Sequence, residues 1–265
     1  MEVLKMKFDN KNITFSKRDG YRGITLPKKL DEDLAYLLGF HLGDGHMKQA
    51  MGKTGLGSAI FYDGYSINEF AQYKENICPL IKRLFNCDCK IEVRKNSNNL
   101  RTKIGSRAIV DFLHIQCGLP LGPKDDAQVP KIIIEASKKI QFAFLRGLAD
   151  TDMSLVFKSR HKDINYYPVI DCSMKSKFLV LGVIELLKKM GYSFHSGSKK
   201  SMRYSKIQPH SLYYFQINGV KNLEKWMKEI GFSSPNQLTK LDVWKKYGFL
   251  PPKTTIVDRI KMIEK

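Results

Sequence analysis

The 265-residue chain has no long hydrophobic run, because no segment reaches the roughly 18 consecutive apolar residues that a membrane-spanning helix needs. Its first residues, Met-Glu-Val-Leu-Lys, are too charged for a secretory signal peptide. These two absences argue against a membrane protein and a secreted protein. We therefore expect an intracellular protein, in the cytoplasm or nucleoid, with an organelle left open.

Cysteine is scarce and irregularly spaced. The chain has five cysteines, an odd number, and none of them forms a CxxC pair. Cys87 and Cys89 lie one residue apart, but they lack the second pair of ligands that a structural zinc site needs. This pattern indicates reduced thiols and a reducing compartment, and it gives no support for a disulfide framework.

Acidic residues are in short supply, with 26 Asp and Glu against 45 Lys and Arg, so that the net charge is +19. The content of 43% hydrophobic and 11% aromatic residues is typical of a folded globular protein. An excess of positive charge on a folded chain indicates a polyanionic partner, most commonly nucleic acid. A merely soluble basic protein and an anionic membrane surface are the alternatives. The sequence contains no Ser/His/Asp set, phosphate-cradling loop or dinucleotide fingerprint.

A nine-residue motif, by contrast, occurs twice, at residues 37–45 and 145–153, with glycine at its third position and an acid at its eighth. The two acids are Asp44 and Asp152. Each motif ends a predicted amphipathic helix, at residues 31–43 and 129–151. An acid at a helix C-terminus lies beside backbone carbonyls of partial negative charge, so it is disfavoured unless a cation joins it. Two such helix ends side by side predict a divalent-metal site.

The predicted elements repeat in the same order after each motif. In the first half, a polar turn region follows the motif, and the later elements are a strand at 59–62, a helix at 69–85, strands at 89–93 and 101–104, and a helix at 106–116. After a proline-containing linker at 119–130, the second half has a helix at 131–151, strands at 154–158 and 169–173, a helix at 175–190, strands at 194–197 and 212–217, and helices at 223–230 and 239–247. We therefore predict a basic extension at 1–30 with a turn at 18–20, a first half at 31–124, and a second half at 125–265 with a helical tail.

Two acid-tipped motifs, each leading a series of helix, two strands, helix, two strands and helix, resemble the single-chain LAGLIDADG homing endonucleases. The resemblance covers about residues 31–250. Further likeness to the second half of archaeal, intron-encoded members lies in residues 129–130, 142–147, 167–169 and 173–177. The implied fold is α+β, with two pseudo-symmetric αββαββα halves whose saddle-shaped antiparallel sheets bind DNA.

Small residues in the motifs fit this resemblance. Gly39 and Gly43 lie four residues apart on one helix face, where the lack of side chains lets a second helix approach closely. Gly147 and Thr151 hold the matching positions in the second copy. Close packing of the two helices is expected to bring the two acids within metal-bridging reach.

The resemblance implies a site-specific endonuclease that hydrolyses double-stranded DNA with a divalent metal at a long asymmetric target and leaves short 3′ overhangs. Mg²⁺ is the expected metal, because it favours oxygen ligands and few protein groups. Mn²⁺ is the expected substitute, and Ca²⁺ is expected to bind without supporting cleavage.

The implied catalytic residues are Asp44, Asp152 and Lys175. Lys175 stands at the junction from a strand into the next helix. The implied metal ligands are the two acids and the backbone carbonyls of Gly43 and Thr151.

Some of these residues have plainer interpretations. The Asp-Gly step that ends the first motif is, by itself, a common helix stop. Asp150 competes with Asp152 for the second role, although its position in the motif favours Asp152. Lys175 is equally well a surface lysine at a helix N-terminus. Met153 replaces the glycine that usually follows the acid, which puts the activity of one half-site in question. His41 is interpreted as a packed helix residue.

DNA contacts are expected from basic residues on the strands and their turns, which would hold phosphates and read bases. The candidates are Lys48, Arg94, Lys95, Arg101 and Lys103 in the first half, and Lys158, Arg160, Lys162, Lys199, Arg203 and Lys206 in the second.

Since one chain supplies both acids, we expect a monomer. An RNA-binding maturase and a DNA-binding relative without cleavage remain alternative functions. The ends lack the residues of intein splice junctions, so an intron-encoded or free-standing origin is expected.

Overall fold

The computed structural model describes residues 7–49, 57–94, 97–201 and 210–265, and it contains two compact units. The first unit comprises residues 1–124 and 130–148, and the second comprises residues 125–129 and 149–265.

The first part of the chain contains helix α1 (Lys17–Tyr21), α2 (Glu32–Asp44), β1 (Gly45–Lys48), β2 (Ala59–Tyr65), α3 (Ser66–Ala71), a π-helical stretch (Gln72–Ile77), α4 (Cys78–Phe85), β3 (Ile91–Val93), β4 (Asn99–Ile104), α5 (Arg107–Asp111) and a second π-helical stretch (Phe112–Gln116).

The rest of the chain repeats this order. It contains α6 (Lys131–Ile134), α7 (Lys138–Ala149), β5 (Met153–Lys158), β6 (Tyr167–Met174), α8 (Lys177–Lys189), β7 (His195–Ser201), β8 (His210–Asn218), α9 (Val220–Glu229), α10 (Pro235–Tyr247) and α11 (Ile256–Glu264). Helix, two strands, helix, two strands and helix therefore occur twice, and the predicted α+β fold is confirmed. None of the helices in the described ranges is long and apolar enough to cross a membrane.

Each unit contains one four-stranded antiparallel sheet, and the two sheets have the same topology. The order is β1-β2-β4-β3 in the first unit and β5-β6-β8-β7 in the second. The registers also correspond, because Gly45 lies opposite Tyr62 at the start of the first sheet and Met153 lies opposite Cys172 at the start of the second. This correspondence identifies equivalent positions in the two halves without reference to side chains.

Alternation along the strands gives each sheet one buried face and one open face. In the first unit, Tyr62 and Thr102 point into the core, where Phe40 of α2 packs on the ring of Tyr62 at 5.7 Å. In the second unit, Phe215 and Trp226 are fully buried. The open faces carry basic and polar side chains together with aromatic rings such as those of Phe61 and Tyr214.

The two motif helices pack backbone to backbone within the first unit. A Cβ atom at Gly39 would lie 2.0 Å from the carbonyl oxygen of Phe144, and a Cβ atom at Gly147 would lie 2.0 Å from the carbonyl oxygen of Tyr36. The expectation that these glycines permit close helix approach is confirmed.

An ion pair fixes the relative direction of these helices. The Glu32 carboxylate of α2 lies 2.7 Å from the Lys139 ammonium of α7. These residues precede Gly39 and Gly147 by about 10 and 12 Å of helix, at a rise of 1.5 Å per residue. If the helices were antiparallel, these two lengths would add and the charged groups would lie roughly 20 Å apart. Helices α2 and α7 therefore run in the same direction, and their C-terminal ends lie together in the first unit.

Three local expectations were wrong. The turn at residues 18–20 belongs to α1, whose N-cap Ser16 forms a capping box with Asp19. The polar turn after the first motif begins with strand β1, which pairs with β2. The helix expected at 131–151 is two helices, because the side chain of Gln141 donates to the carbonyl oxygens of Ile133 and Ile134 and so ends α6.

Asp19 also joins distant parts of the first unit and provides a test of the fold. Its fully buried carboxylate accepts hydrogen bonds from the amide and hydroxyl of Ser16 and from the amide of Ala108. Burial alone would raise the pKa of Asp19, but hydrogen bonds from Ser106, Ser16 and backbone amides outweigh it, so the pKa lies below its ordinary value. A carboxyl whose pKa is lowered by folding stabilises the protein above its unfolded pKa, and that contribution is lost as the pH falls through the folded pKa.

We expect Asp19→Asn to lower the free energy of unfolding by about 1–3 kcal/mol at pH 7, because a hydrogen-bonded buried charge is removed. The difference from the wild type should shrink as the pH falls below about 4, the ordinary range for Asp. Urea unfolding at pH 7 and pH 3 measures it, with Asp163→Asn at an exposed acid as the control. A difference independent of pH would contradict this role for the Asp19 charge.

Candidate metal centre and nucleic-acid interface

The first acid stands at the junction of a buried helix and a strand. Helix α2 begins at N-cap Asp31, whose side chain accepts a hydrogen bond from the amide of Leu34, and it ends at Asp44, immediately before β1. Most of the helix between these ends is buried. The half-buried Asp44 carboxylate is therefore held at a helix C-terminus, as the motif predicts.

A cation from a distant part of the chain binds this helix end. The Lys124 ammonium donates to the carbonyl oxygens of His41 at 3.4 Å and Leu42 at 2.9 Å, and also to that of Gly43. Sequence reasoning missed Lys124, because it lies more than 80 residues from these carbonyls and within the predicted linker. No local pattern connects such a lysine to a helix end.

His41 lies in the last turn of α2 and is almost fully buried, as expected of a packed helix residue. Burial, and then the charges of Lys124 and His46, lower the pKa of His41 to about 3. The imidazole is therefore neutral near pH 7, and its Nδ1 atom lies 3.4 Å from the hydroxyl of Tyr62. Its place in the core supports a packing role.

The second acid lies in the second unit. Asp152 occupies the exposed turn after α7, directly before β5 begins at Met153. Burial and then the negative charge of Asp152 raise the pKa of the Cys172 thiol well above its ordinary value. The order of helix, acid and strand is thus the same at Asp152 as at Asp44.

The neighbouring acid, Asp150, has a structural role. Its buried carboxylate accepts hydrogen bonds at 3.0 Å from the backbone amides of Ser233 and Ser234, where α10 begins. An anion at a helix N-terminus is favourably placed relative to the helix dipole. These contacts connect the end of the second motif to α10 and explain the local hydrogen-bonding role expected of Asp150.

Lys175 lies where it was predicted, at the junction between a strand and a helix. It is exposed, follows the last residue of β6 and precedes Ser176, the N-cap of α8. The hydroxyl of Ser176 donates to the carbonyl of Ala127 at 2.6 Å and accepts from the amide of Leu179. The backbone beside Lys175 is therefore anchored, while its side chain reaches solvent.

The open face of the first sheet is built around an aromatic ring. Phe61 lies at its centre, with the imidazole of His46 stacked on it at 4.8 Å. The cations of Lys48, Arg101 and Lys103 lie 5.3–5.9 Å from the ring centroid. Three of the predicted DNA contacts are therefore brought together on one surface, while Arg94 is exposed at the end of β3.

Arg101 forms a bidentate ion pair on this face. Its Nε and Nη2 atoms donate to the two oxygens of Asp63 at 2.5 and 2.9 Å, and His46 lies 3.6 Å from the same carboxylate. The hydrogen bond to Asp63 raises the pKa of Arg101 above its ordinary value. The guanidinium is therefore held in a defined orientation, with its fork already matched to a planar acceptor.

Basic residues on the second sheet lie beside aromatic and amide groups. Lys158 donates to Gln216, which in turn donates to Asp171 at 2.6 Å. The remaining cations lie over aromatic rings: Lys199 over Tyr214 at 5.6 Å, Arg160 over Tyr167 at 3.9 Å, and Lys162 over Tyr166 at 5.8 Å. Three predicted DNA contacts, Lys95, Arg203 and Lys206, lie outside the described residues.

The available ligands suit a hard cation held by few side chains. Within the described ranges, no group of three or more His, Cys, Asp or Glu side chains is placed to hold a metal ion. The helix end at Asp44 offers carboxylate and carbonyl oxygens and already attracts the Lys124 ammonium. Mg²⁺ prefers such oxygen ligands and keeps several waters or substrate oxygens. The residues of this helix end therefore fit a divalent metal.

Sequence comparison finds no matching protein-family model. Three proteins are similar in part: an uncharacterised protein of Methanocaldococcus jannaschii (24% identity over 83% of this chain and 23% of that protein), a DNA polymerase of Thermococcus aggregans (24%, over 89% and 13%), and a replication factor C small subunit of M. jannaschii (26%, over 80% and 10%). The chain thus spans less than a quarter of the length of each relative.

Comparison with solved structures finds proteins that match this chain over nearly their whole length. I-DmoI in complex with DNA and Mn superposes with a TM-score of 0.50 at 19% identity, over 76% of this chain and 96% of I-DmoI. The complex with DNA and Ca also gives 0.50, at 18% identity, over 80% and 97%. The fold is that of the LAGLIDADG homing endonucleases. The LAGLIDADG meganuclease I-AabMI, bound to uncleaved DNA, superposes with a TM-score of 0.43 at 15% identity, over 86% and 97%.

Within this LAGLIDADG fold, the glycine after the first acid has a local cause. A Cβ atom at Gly45 would lie 2.6 Å from Nδ1 of His41 and 2.7 Å from its carbonyl oxygen. In the second motif, the position that matches His41 is Ala149, and Met153 is buried as the first residue of β5. The second motif therefore has alanine in place of His41 and a buried methionine in place of Gly45.

Proposed function

We propose that this chain is a metal-dependent, site-specific endonuclease that cleaves double-stranded DNA at a long asymmetric target and leaves short 3′ overhangs. The observation that carries the proposal is the parallel packing of the motif helices through Gly39 and Gly147, each of which precedes an acid by five residues. Residues 31–124 and 125–265 are the two halves, and each supplies one acid. A monomer suffices, because both acids belong to one chain.

In this proposal, Asp44 and Asp152 hold Mg²⁺ with the backbone carbonyls of Gly43 and Thr151. When bound, the metal would activate water and stabilise charge on the attacking and leaving oxygens of the phosphodiester. Mn²⁺ would substitute for it, and Ca²⁺ would hold DNA without cleavage. Lys175 would orient the attacking water by hydrogen bonding. The anchored backbone at Ser176 supports a fixed approach for that side chain.

The open faces of the two sheets would carry the DNA. The charge of +19 supports a polyanionic partner, and three cations lie around Phe61 on the open face of the first sheet. Lysines such as Lys48 and Lys103 would hold phosphates. Arg101 would read a base through its Nη1 and Nη2 edge, because the Nε and Nη2 edge is bonded to Asp63 and holds the guanidinium in place. Guanine offers a matching pair of acceptors in the major groove.

We expect Arg101→Ala to relax base preference at one position of the target and to cost about 1–3 kcal/mol of binding free energy there. Lys103→Ala should weaken binding to all sequences alike and reduce the salt dependence by about one counterion. Competition binding in Ca²⁺ with single-base variants of an enriched target measures both effects. Equal weakening for every sequence in Arg101→Ala would assign it to phosphate contact instead.

Selection from a randomised duplex library tests the function itself. Duplexes retained in Ca²⁺ should share a long asymmetric sequence, and exchange of Ca²⁺ for Mg²⁺ should cut both strands of those duplexes. A parallel selection with structured RNA addresses the alternatives. Enrichment of RNA in place of DNA would indicate a maturase, and a DNA target that no metal causes to be cut would indicate a binding protein without nuclease activity.

A further inference from the structure

The end of helix α2 concentrates negative charge. The last carbonyls of an α-helix have no intrahelical partners and carry a partial negative charge. Asp44, the final residue of α2, adds a carboxylate at the same point. A cation at this end is therefore favourable, and Lys124 is the residue that brings one to the carbonyls of His41, Leu42 and Gly43.

The backbone that leads to Lys124 is fixed by hydrogen bonds. The carbonyl of Leu119 lies 2.8 Å from Nδ1 of His114, and the amide of Leu119 donates to the carbonyl of Leu113. The amide of Gly122 donates to the carbonyl of Met47 in β1 at 2.9 Å. Gly122 adopts φ +76°, which favours glycine at this point. Lys124 is thus aimed at the helix end by the path of the linker and by its attachment to β1.

An ammonium suits this position better than a guanidinium. Lysine presents three donors on a compact point charge, and three carbonyl oxygens converge on it here. The second motif is arranged differently, because Asp150 near its helix end is bonded to the amides of Ser233 and Ser234. Asp150 thus stabilises the N-terminus of α10, whereas Lys124 binds the C-terminal carbonyls of α2.

We propose that Lys124 is the resident cation of the first acid's helix end and that it competes with the divalent metal for the carbonyl of Gly43. This inference rests on the proposed function, in which that carbonyl is a metal ligand. Without metal, Lys124 balances the charge of the helix end and keeps its last turn ordered. When metal binds, the ammonium withdraws from Gly43 and keeps its contact with Leu42. Lys124 is a positioning residue for the metal site.

The test is Mn²⁺ binding to the full chain without DNA, followed by the electron paramagnetic resonance signal of free Mn²⁺. Lys124→Met removes the charge and retains the length of the side chain, so we expect it to bind Mn²⁺ about tenfold more tightly. Lys124→Arg keeps the charge and should stay within about threefold of the wild type. Lys74→Met, at an exposed lysine on another face, is the matched control and should leave the affinity unchanged.

A purely structural role for Lys124 predicts the opposite sign, since a disordered helix end would bind Mn²⁺ more weakly. Unchanged or weaker binding in Lys124→Met, with wild-type binding intact and abolished by Asp44→Asn, would overturn this inference and leave the proposed function standing. Absence of Mn²⁺ binding from every form of the protein would overturn both. If Lys124→Met unfolds without metal, Lys124→Gln serves as the second neutral variant. Unchanged or weaker Mn²⁺ binding by folded Lys124→Gln would also overturn the inference.

Discussion

Gly39→Ala is expected to lower the free energy of unfolding by more than about 4 kcal/mol or to prevent folding, which places it among the largest effects of single substitutions. The added Cβ atom would lie 2.0 Å from the carbonyl oxygen of Phe144 and 2.8 Å from the amide nitrogen of Leu148. Both are backbone atoms, so no rotamer change can relieve the overlap. The helices would have to separate along their whole contact.

Gly147→Ala should behave in the same way, because its Cβ atom would meet the backbone of Tyr36 and Phe40. Gly20 provides a matched control within a helix, since a Cβ atom there meets nothing within 4 Å. Alanine is the better helix former by about 1 kcal/mol, so Gly20→Ala should be neutral or stabilising. Urea unfolding of the three variants measures these differences, and a loss at Gly39 no larger than at Gly20 would refute the close packing of the motif helices.

Asp44→Asn is expected to reduce double-strand cleavage by at least about a thousandfold, because a neutral amide cannot hold the metal that the proposed reaction requires. DNA binding should persist or become tighter, since a negative charge near the phosphates is removed. The rate is measured on a labelled duplex that carries the selected target, in Mg²⁺, with binding followed separately in Ca²⁺.

Asp150→Asn is the informative control for this prediction, because Asp150 belongs to the other motif but bonds to the amides of Ser233 and Ser234. It should lower stability while the folded fraction keeps its cleavage rate. If Asp44→Asn cut DNA as fast as the wild type, Asp44 would have no place in the chemistry. If Asp150→Asn lost cleavage while remaining folded, the acids of the second motif would have to be reassigned.

Much of the fold was predictable from local patterns. The first motif helix was predicted at 31–43 and lies at Glu32–Asp44, and the strand predicted at 154–158 is β5, Met153–Lys158. Gly39 and Gly147 were predicted to allow close approach of two helices, and they do. These features depend on hydrophobic periodicity and on residue size, which a sequence displays directly.

Features that depend on distant partners were not predictable. Strand β1 is short and polar, and it is a strand because it pairs with β2. Lys124 reaches a helix end from more than 80 residues away, and Gln237 bonds to the backbone of β5 from a similar separation. Nothing in the residues around either side chain identifies its partner, so only the folded chain reveals these contacts.

The departure at Met153 is also clearer in three dimensions. A Cβ atom at position 45 of the first motif would overlap the imidazole and also the backbone of His41, and the second motif has Ala149 where the first has His41. The sequence alone presents Met153 as a damaged motif. In the structure Met153 is buried as the first residue of β5, so its side chain belongs to the core of the second unit.

In the proposed function, two acids from two halves of one chain serve one metal-dependent cleavage reaction. The most direct measurement is cleavage of a randomised duplex library in Mg²⁺ by the wild type and by Asp152→Asn, with sequencing of the broken ends. We expect sequence-enriched double-strand breaks from the wild type and none from the variant. Breaks made equally well by Asp152→Asn, or no breaks by either protein although both bind DNA, would contradict it.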